Sequence, residues 1–261
     1  MVQIYLSGVK MPKEATIARK FDLTYDGEIS AHSYNVLNYE GGVLDAQKSL
    51  LRLGDHVVIV GGGNGVTAVK AAHIIGQKGS KRGGSLKLGA ENISGGVIVF
   101  EGGASECETL RKVSKLNNVD NIVELNHAVV GIEKNVYSDT THAKIIPPSK
   151  IPECDVLELD CEGSELEILA NMKIRPRNII VELHPWEYPS EPMRPVDVLL
   201  NLGYEIRYIA GHDGIHTDQS GLHSLLERSS AKMGEHDHGK KSLKYLTNGA
   251  RWPVVIGCNL K

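Results

Sequence analysis

The stretch "HVVIVGGGNGVTAV", residues 56–69, runs from strand-forming apolar residues into three glycines and on into a helical pattern. The order predicts a buried strand, a tight turn and a helix, with Val66, Val69, Ala72 and His73 spaced as one helix face. A strand that ends in glycines lets a ligand approach bare backbone, and the free amides at a helix N-terminus attract negative groups. Gly63, Gly65 and Ala68 satisfy G-x-G-x-x-A, the dinucleotide fingerprint with its permitted alanine. With Gly61 and Gly62 they make a nucleotide-type turn, and the glycines alone do not choose the nucleotide.

Outward from this turn, apolar runs alternate with helical patterns. "GGVIVFEGG" (95–103), "NIVELNHAVV" (121–130), "CDVLELDCEG" (154–163) and "NIIVELHP" (178–185) read as strands, with "SECETLRKVSKLNNV", "SELEILANM" and "PVDVLLNLGY" as the intervening helical patterns. Continuous Val/Ile/Leu runs imply strands covered on both faces, so the sequence predicts an α/β fold with a doubly wound, mostly parallel sheet. "YEIRYIA" and "WPVVIGCNL" read as two last strands with no regular crossover helix between them, predicting an antiparallel pair at the end of the sheet. Residues 1–54 read as a cap segment with a helix in "VLDAQKSLLRLG", and residues 55–261 as the main domain. Two stretches interrupt that domain: "KRGGSLKLGAENIS" (81–94) and the histidine-containing 212–250, with a short helix in "SGLHSLLERSS".

The 261-residue chain is 41% hydrophobic and 23% charged, enough apolar content to bury a large core. A formal net charge of -3 provides no global basic field for nucleic acid. The four cysteines, Cys107, Cys154, Cys161 and Cys258, form no C-x-x-C pair, which disfavours a zinc ribbon or disulfide framework and fits a reducing cytoplasm. No stretch approaches the roughly 18 apolar residues of a membrane span, so no membrane partner is expected. Assembly into a homo-oligomer stays open.

In "VIVFEGG", Glu101 falls at the strand's carboxyl end beside Gly102, where an acid would accept hydrogen bonds from two ribose hydroxyls. The fourth strand then selects among adenosine ligands. Asp160, Cys161, Glu162, Gly163, Ser164, Glu165 and Leu166 run as an aspartate, an apolar residue, Glu-Gly, a small residue, Glu and Leu. This resembles the FkbM family of class I S-adenosylmethionine-dependent methyltransferases. "NIIVELHP", with Glu182 and His184, is similar to that family's next strand, "LLRLGDHVVIVGGGNG" to its opening, and the resemblance extends over roughly residues 38–210.

The resemblance implies a Rossmann-like class I methyltransferase fold, S-adenosyl-L-methionine as cofactor, and methyl transfer, typically to oxygen, on a small molecule or glycan. It also exposes a departure. The family usually carries an aspartate two residues before the first glycine, and here that position is Ile59. Glu40, or Asp160 on a strand expected to lie beside the first, is the expected substitute at the cofactor's ammonium end.

Asp160, Glu162, Glu182 and His184 are expected to project from carboxyl ends of neighbouring strands, where open α/β sheets bind ligands. His184 is the preferred general base, from an unperturbed pKa near 6.5. Glu40, Gly61, Gly62, Gly63, Gly65, Glu101, Gly102, Asn126, His127 and Asp160 are expected around the cofactor, Asn126 and His127 at the adenine edge, with Trp186 and Tyr188 against the acceptor. The rim carboxylates and histidine have the chemistry of a divalent-ion site, but no metal ligand is assigned, and His212, His216, His223, His236 and His238 read as solvated loop residues. Two other readings stand beside the methyltransferase: an NAD(P)-dependent oxidoreductase, and a methyltransferase-like binding protein without catalysis.

Overall fold

The computed structural model describes residues 3–12, 27–29, 33–37, 39–76, 95–132, 139–211, 214–230 and 253–261. The stretch 81–94, His212, His236 and His238, and most of 212–250, lie outside the described residues.

The chain opens with β1 (Gln3–Leu6), β2 (Val9–Lys10), β3 (Gly27–Ile29) and β4 (Ser33–Val36), which form a small sheet in the order β2-β1-β4-β3. Helix α1 (Gly41–Leu50) follows, ending four residues before the glycine expected to stop it. The main sheet then alternates with helices: β5 (His56–Val60), α2 (Val66–Gly76), β6 (Gly96–Glu101), α3 (Ala104–Leu116), β7 (Val123–Val130), β8 (Lys144–Ile146), β9 (Val156–Leu159), α4 (Glu165–Asn171), β10 (Asn178–Leu183), α5 (Arg194–Asn201), β11 (Tyr204–Gly211), α6 (Gln219–Ser230) and β12 (Val254–Leu260). Its order is β11-β12-β10-β9-β5-β6-β7-β8. From β10 to β8 all pairings are parallel, whereas β12 runs antiparallel to both β10 and β11. This is the doubly wound, mostly parallel sheet ending in an antiparallel pair.

Continuous apolar strands make the two-faced core. Val57 and Ile59 face one apolar cluster with α1 and α2, while Val58 and Val60 face a second with Leu157, Leu159, Ile179 and Val181. Helix α2 buries Val66, Val69 and Ala72 as its spacing predicts, but His73, expected on the same face, is exposed. The small sheet is tied to the main domain by Asn117 at the end of α3, whose side chain accepts from the Lys10 amide (3.0 Å) and donates to the Lys10 carbonyl (2.9 Å).

What positions the site is the reversal of strand order. The chain builds β5, β6, β7 and β8 in one direction, then returns to lay β9 on the other side of β5. The carboxyl ends of β5 and β9 therefore lie side by side at a topological switch point, where such sheets open a crevice. The Asp160 amide donates to Val60 O at 2.9 Å, locking the two strand ends together.

Candidate active site

The glycine turn closes immediately beyond β5. Gly61 has φ +88°, and a Cβ there would collide with the Asp160 carbonyl, so the side-by-side strand ends themselves demand glycine. Gly63 has φ +47°, yet a Cβ there would meet nothing within 4 Å. Its freedom from neighbours leaves the space in front of the turn for a ligand. Gly62 and Gly65 back onto Leu110 of α3, so their lack of a side chain serves packing.

Glu101 sits where the sequence places it, at the end of β6, but its carboxylate already spans two loop amides: Gly63 N–H donates to Oε2 at 2.8 Å and Gly103 N–H to Oε1 at 2.6 Å. A carboxylate has about four acceptor positions, so two remain for ribose hydroxyls. Burial pushes its pKa up despite these bonds. His127 pairs with Glu101 across β6 and β7, Asn126 with Phe100, and the His127 ring Nε2 lies 2.9 Å from Gly102 O. His127 thus braces the loop that carries Glu101.

Around Asp160 the acids collect. One carboxylate oxygen each from Glu40, Asp160 and Glu182 lie within 4.8 Å of one another, and Asp160 and Glu162 form a similar group with His184. Glu40 enters from the start of α1 in the left-handed conformation (φ 54°), and Glu162 is left-handed too (φ 51°). Non-glycine residues in that region cost roughly 1–3 kcal/mol and collect at functional sites. Neighbouring Tyr39 has side-chain hydrogen bonds with Asn64 of the glycine turn and with Glu40, which brings the 39–40 segment against the turn. Burial raises the pKa of Asp160 well above the carboxylate range, and Glu182, Glu40 and Glu162 add to it by like-charge repulsion.

His184 is 1% exposed just past β10. Its Nδ1 lies 2.9 Å from Glu165 Oε1, which also accepts from the Cys161 and Gly163 amides at 3.1 Å each. Trp186 meets its ring edge-on, with centroids 5.1 Å apart. Burial disfavours the imidazolium, but the hydrogen bond to Glu165 and the nearby carboxylates outweigh it and push the pKa up to about 9. The surrounding carboxylates thus favour the protonated ring over the neutral base that an ordinary imidazole would supply.

Two participants stand outside the expected site residues, Glu165 although the fourth-strand motif contains it. Glu165, fully buried, has the place of an ordinary first-turn acid of α4. Glu158 is 1% exposed in mid-strand and accepts from Gln47 Nε2 at 2.7 Å. It pairs directly with Ile59 across β9 and β5, so the acid missing from the first strand has a counterpart at the same register on the next. A charged residue inside the apolar run "VLEL" is the available signal. Of the loop histidines, His223 lies exposed 3.3 Å from Glu227 of its own helix, and His216 stacks edge-on against Tyr208, so neither joins the acids. A cavity of about 380 Å³ opens beside the Gly163–Ser164 step, lined also by Ile132, Tyr188, Arg194 and Val198.

Residues 76–206, half of the chain, match the family profile of the methyltransferase FkbM domain. The chain belongs to the FkbM methyltransferase family. S-adenosyl-L-methionine is the cofactor such a domain takes, and Gly63, open on its outer side, and Glu101, with acceptor positions to spare, fit an adenosine ligand. An NAD(P)-dependent oxidoreductase is no longer a competing reading.

A search of curated proteins finds no match. Among solved structures, a ribosomal protein L11 methylase from Lactobacillus delbrueckii subsp. bulgaricus is similar at 10% identity over 86% of this chain and 80% of that one, with a TM-score of 0.45. The geranyl diphosphate C-methyltransferase of Streptomyces coelicolor A3(2), in complex with Mg²⁺, geranyl diphosphate and S-adenosyl-L-homocysteine, is similar at 10% identity, 85% and 79% coverage and a TM-score of 0.48. Aeropyrum pernix fibrillarin with bound S-adenosyl-L-methionine follows at 13% identity, 91% and 84% coverage and a TM-score of 0.44. At this level of likeness none of them bears on this chain's acceptor.

Proposed function

We propose that this FkbM-family domain methylates an oxygen of a small-molecule or glycan acceptor by direct displacement, at the crevice between β5 and β9. The observation that carries the reading is the convergence of Glu40, Asp160 and Glu182 within 4.8 Å at the switch point. Such a concentration of negative charge complements a cationic ligand, and the Tyr39 hydrogen bonds to Asn64 and Glu40 link it to the glycine turn. When bound, the cofactor supplies an electrophilic methyl carbon on a sulfonium.

The chain's own residues do the rest. Glu101 holds the turn and offers its spare lone pairs to the ribose. Glu40 and Asp160 face the ammonium end and stand in for the acid absent at Ile59. The domain's main contribution is alignment, which supplies about 7–11 kcal/mol in well-oriented displacements. Asp160, Glu162 and Glu182 offer carboxylates to the proton that an acceptor hydroxyl loses. Tyr188 lines the cavity next to Glu162 and would contact the acceptor there. No helix among the described residues is long and apolar enough to cross a membrane, and a cytoplasmic protein using a diffusible acceptor fits this reading.

Calorimetry with S-adenosylhomocysteine, followed by transfer of a radiolabelled methyl group to a panel of hydroxylated acceptors, tests it. Binding together with label in an alkali-stable ether supports the proposal. Binding with label on nitrogen or carbon overturns the oxygen assignment, and absence of homocysteine-ligand binding returns the chain to a methyltransferase-like binding protein.

A further inference from the structure

His184 has an arrangement that methyl transfer by alignment does not require. Its Nδ1 is taken by Glu165, itself fixed by two backbone amides, so the ring cannot turn. Its Nε2 points among carboxylates: Glu162 Oε2 at 3.4 Å, Asp160 Oδ1 at 3.7 Å and Glu182 Oε1 at 4.0 Å. These are beyond the 2.7–3.2 Å of a good N–H···O bond. Donor atoms about 2.1 Å from a common centre lie about 3.0–3.4 Å apart when adjacent and about 4.2 Å apart across it; Glu162 at 3.4 Å meets the adjacent spacing, and Asp160 at 3.7 Å falls between the two limits.

We infer that Asp160, Glu162 and the Nε2 of His184 form a site for one divalent first-row cation, which displaces the Nε2 proton to solvent on binding, with Glu165 orienting the histidine from behind. A buried carboxylate on the far nitrogen is how proteins fix the tautomer and direction of a metal-binding imidazole. Two carboxylates and one imidazole suit Mn²⁺ better than Mg²⁺, because the nitrogen donor adds affinity that a purely oxygen-seeking ion does not use. The Asp160 and Glu162 side chains are 25% and 27% exposed, against 2% for His184, so the remaining coordination positions face the crevice. Asp160 alone is shared with the Glu40–Asp160–Glu182 group, so its carboxylate stands between the ion and the cofactor's cationic end.

The test uses the purified full chain, stripped with EDTA, desalted and titrated with MnCl₂ by electron paramagnetic resonance. One Mn²⁺ per chain is expected, with nitrogen modulation from one imidazole in the pulsed spectrum. Glu162→Gln should weaken binding at least about tenfold, and Glu165→Gln, which touches the ion only through His184, by about 10- to 100-fold. Absence of bound Mn²⁺, or bound Mn²⁺ without imidazole modulation, overturns the site in the wild-type protein whatever the variants do. So does unchanged affinity in a Glu162→Gln protein with wild-type Tm. Zn²⁺ displacing Mn²⁺ at the same ligands keeps the site and corrects the metal. S-adenosylhomocysteine binding measured in EDTA fails or succeeds separately, so loss of this inference leaves the proposed function intact.

Discussion

Replacing Gly63 with alanine separates the fold from the ligand. The position has φ +47°, where an alanine costs about 1–2 kcal/mol, and the stiffer unfolded chain returns about 0.4–1 kcal/mol. No steric term adds to this, because the new Cβ meets nothing within 4 Å. The net loss is about 1 kcal/mol, or a Tm lower by roughly 2–4 °C for a domain of this size. The methyl group does occupy the space left for the cofactor, and an intruding methyl in a packed contact costs about 1–3 kcal/mol, which is roughly 5- to 150-fold in affinity. Calorimetry with S-adenosylhomocysteine and scanning calorimetry on the same preparation read both numbers. Gly61→Ala is the contrast: its Cβ would fall 2.6 Å from the Asp160 carbonyl carbon, backbone against backbone, and no folded protein is expected. If Gly63→Ala binds the cofactor product within twofold of wild type, with a Tm no more than roughly 4 °C below wild type, the turn does not cradle the cofactor and the placement is wrong.

Three further outcomes follow from the same geometry. Burial raises Glu158 from an ordinary 4.5 to about 7, so in chelated buffer its contribution to stability is present below about pH 4.5 and is lost as pH rises to about 7, a decline of about 3 kcal/mol; Glu158→Gln should flatten urea-unfolding stability across that window, and an unchanged profile would mean the carboxyl ionises freely. Glu40→Gln combined with Asp160→Asn should weaken S-adenosylhomocysteine binding about tenfold by calorimetry, one to two lost charge-assisted contacts, and wild-type affinity would remove both acids from the cofactor site. Asn117→Ala breaks the paired bonds to Lys10 and should cost about 1–3 kcal/mol, seen as faster proteolysis within residues 1–40 before the main domain unfolds; cleavage at the wild-type rate would show that other contacts hold the small sheet.

Much of the sheet is legible in the sequence because its physics is local. Runs such as "VVIV" and "NIIVEL" are apolar on both faces, and only covered strands tolerate that. β8 escapes such reading because its middle residue, Ile145, is 61% exposed, so no burial pattern marks it. The acids at the strand ends are found through their position after each run, and Asp160 does lie beside the first strand. What stays hidden depends on contacts between distant residues. An imidazole with its ordinary pKa would make His184 a base, and it is the hydrogen bond to Glu165, nineteen residues earlier, working against burial, that favours its charged form. Glu101 reads as free for ribose, whereas the amides of Gly63 and Gly103 together take half its capacity. Ile59 reads as a lost acid until the register sets Glu158 opposite it.

The wedge of β12 between β10 and β11 has a consequence for how the molecule comes into being. All six residues of β10 are buried, and one side of the strand is covered only by Val254–Asn259, more than seventy residues further along the chain. Until that segment leaves the ribosome, β10 is an uncovered apolar edge next to the very loop that carries His184, and such edges recruit other chains. The growing chain should therefore be most prone to aggregate in the interval between the synthesis of β10 and that of β12.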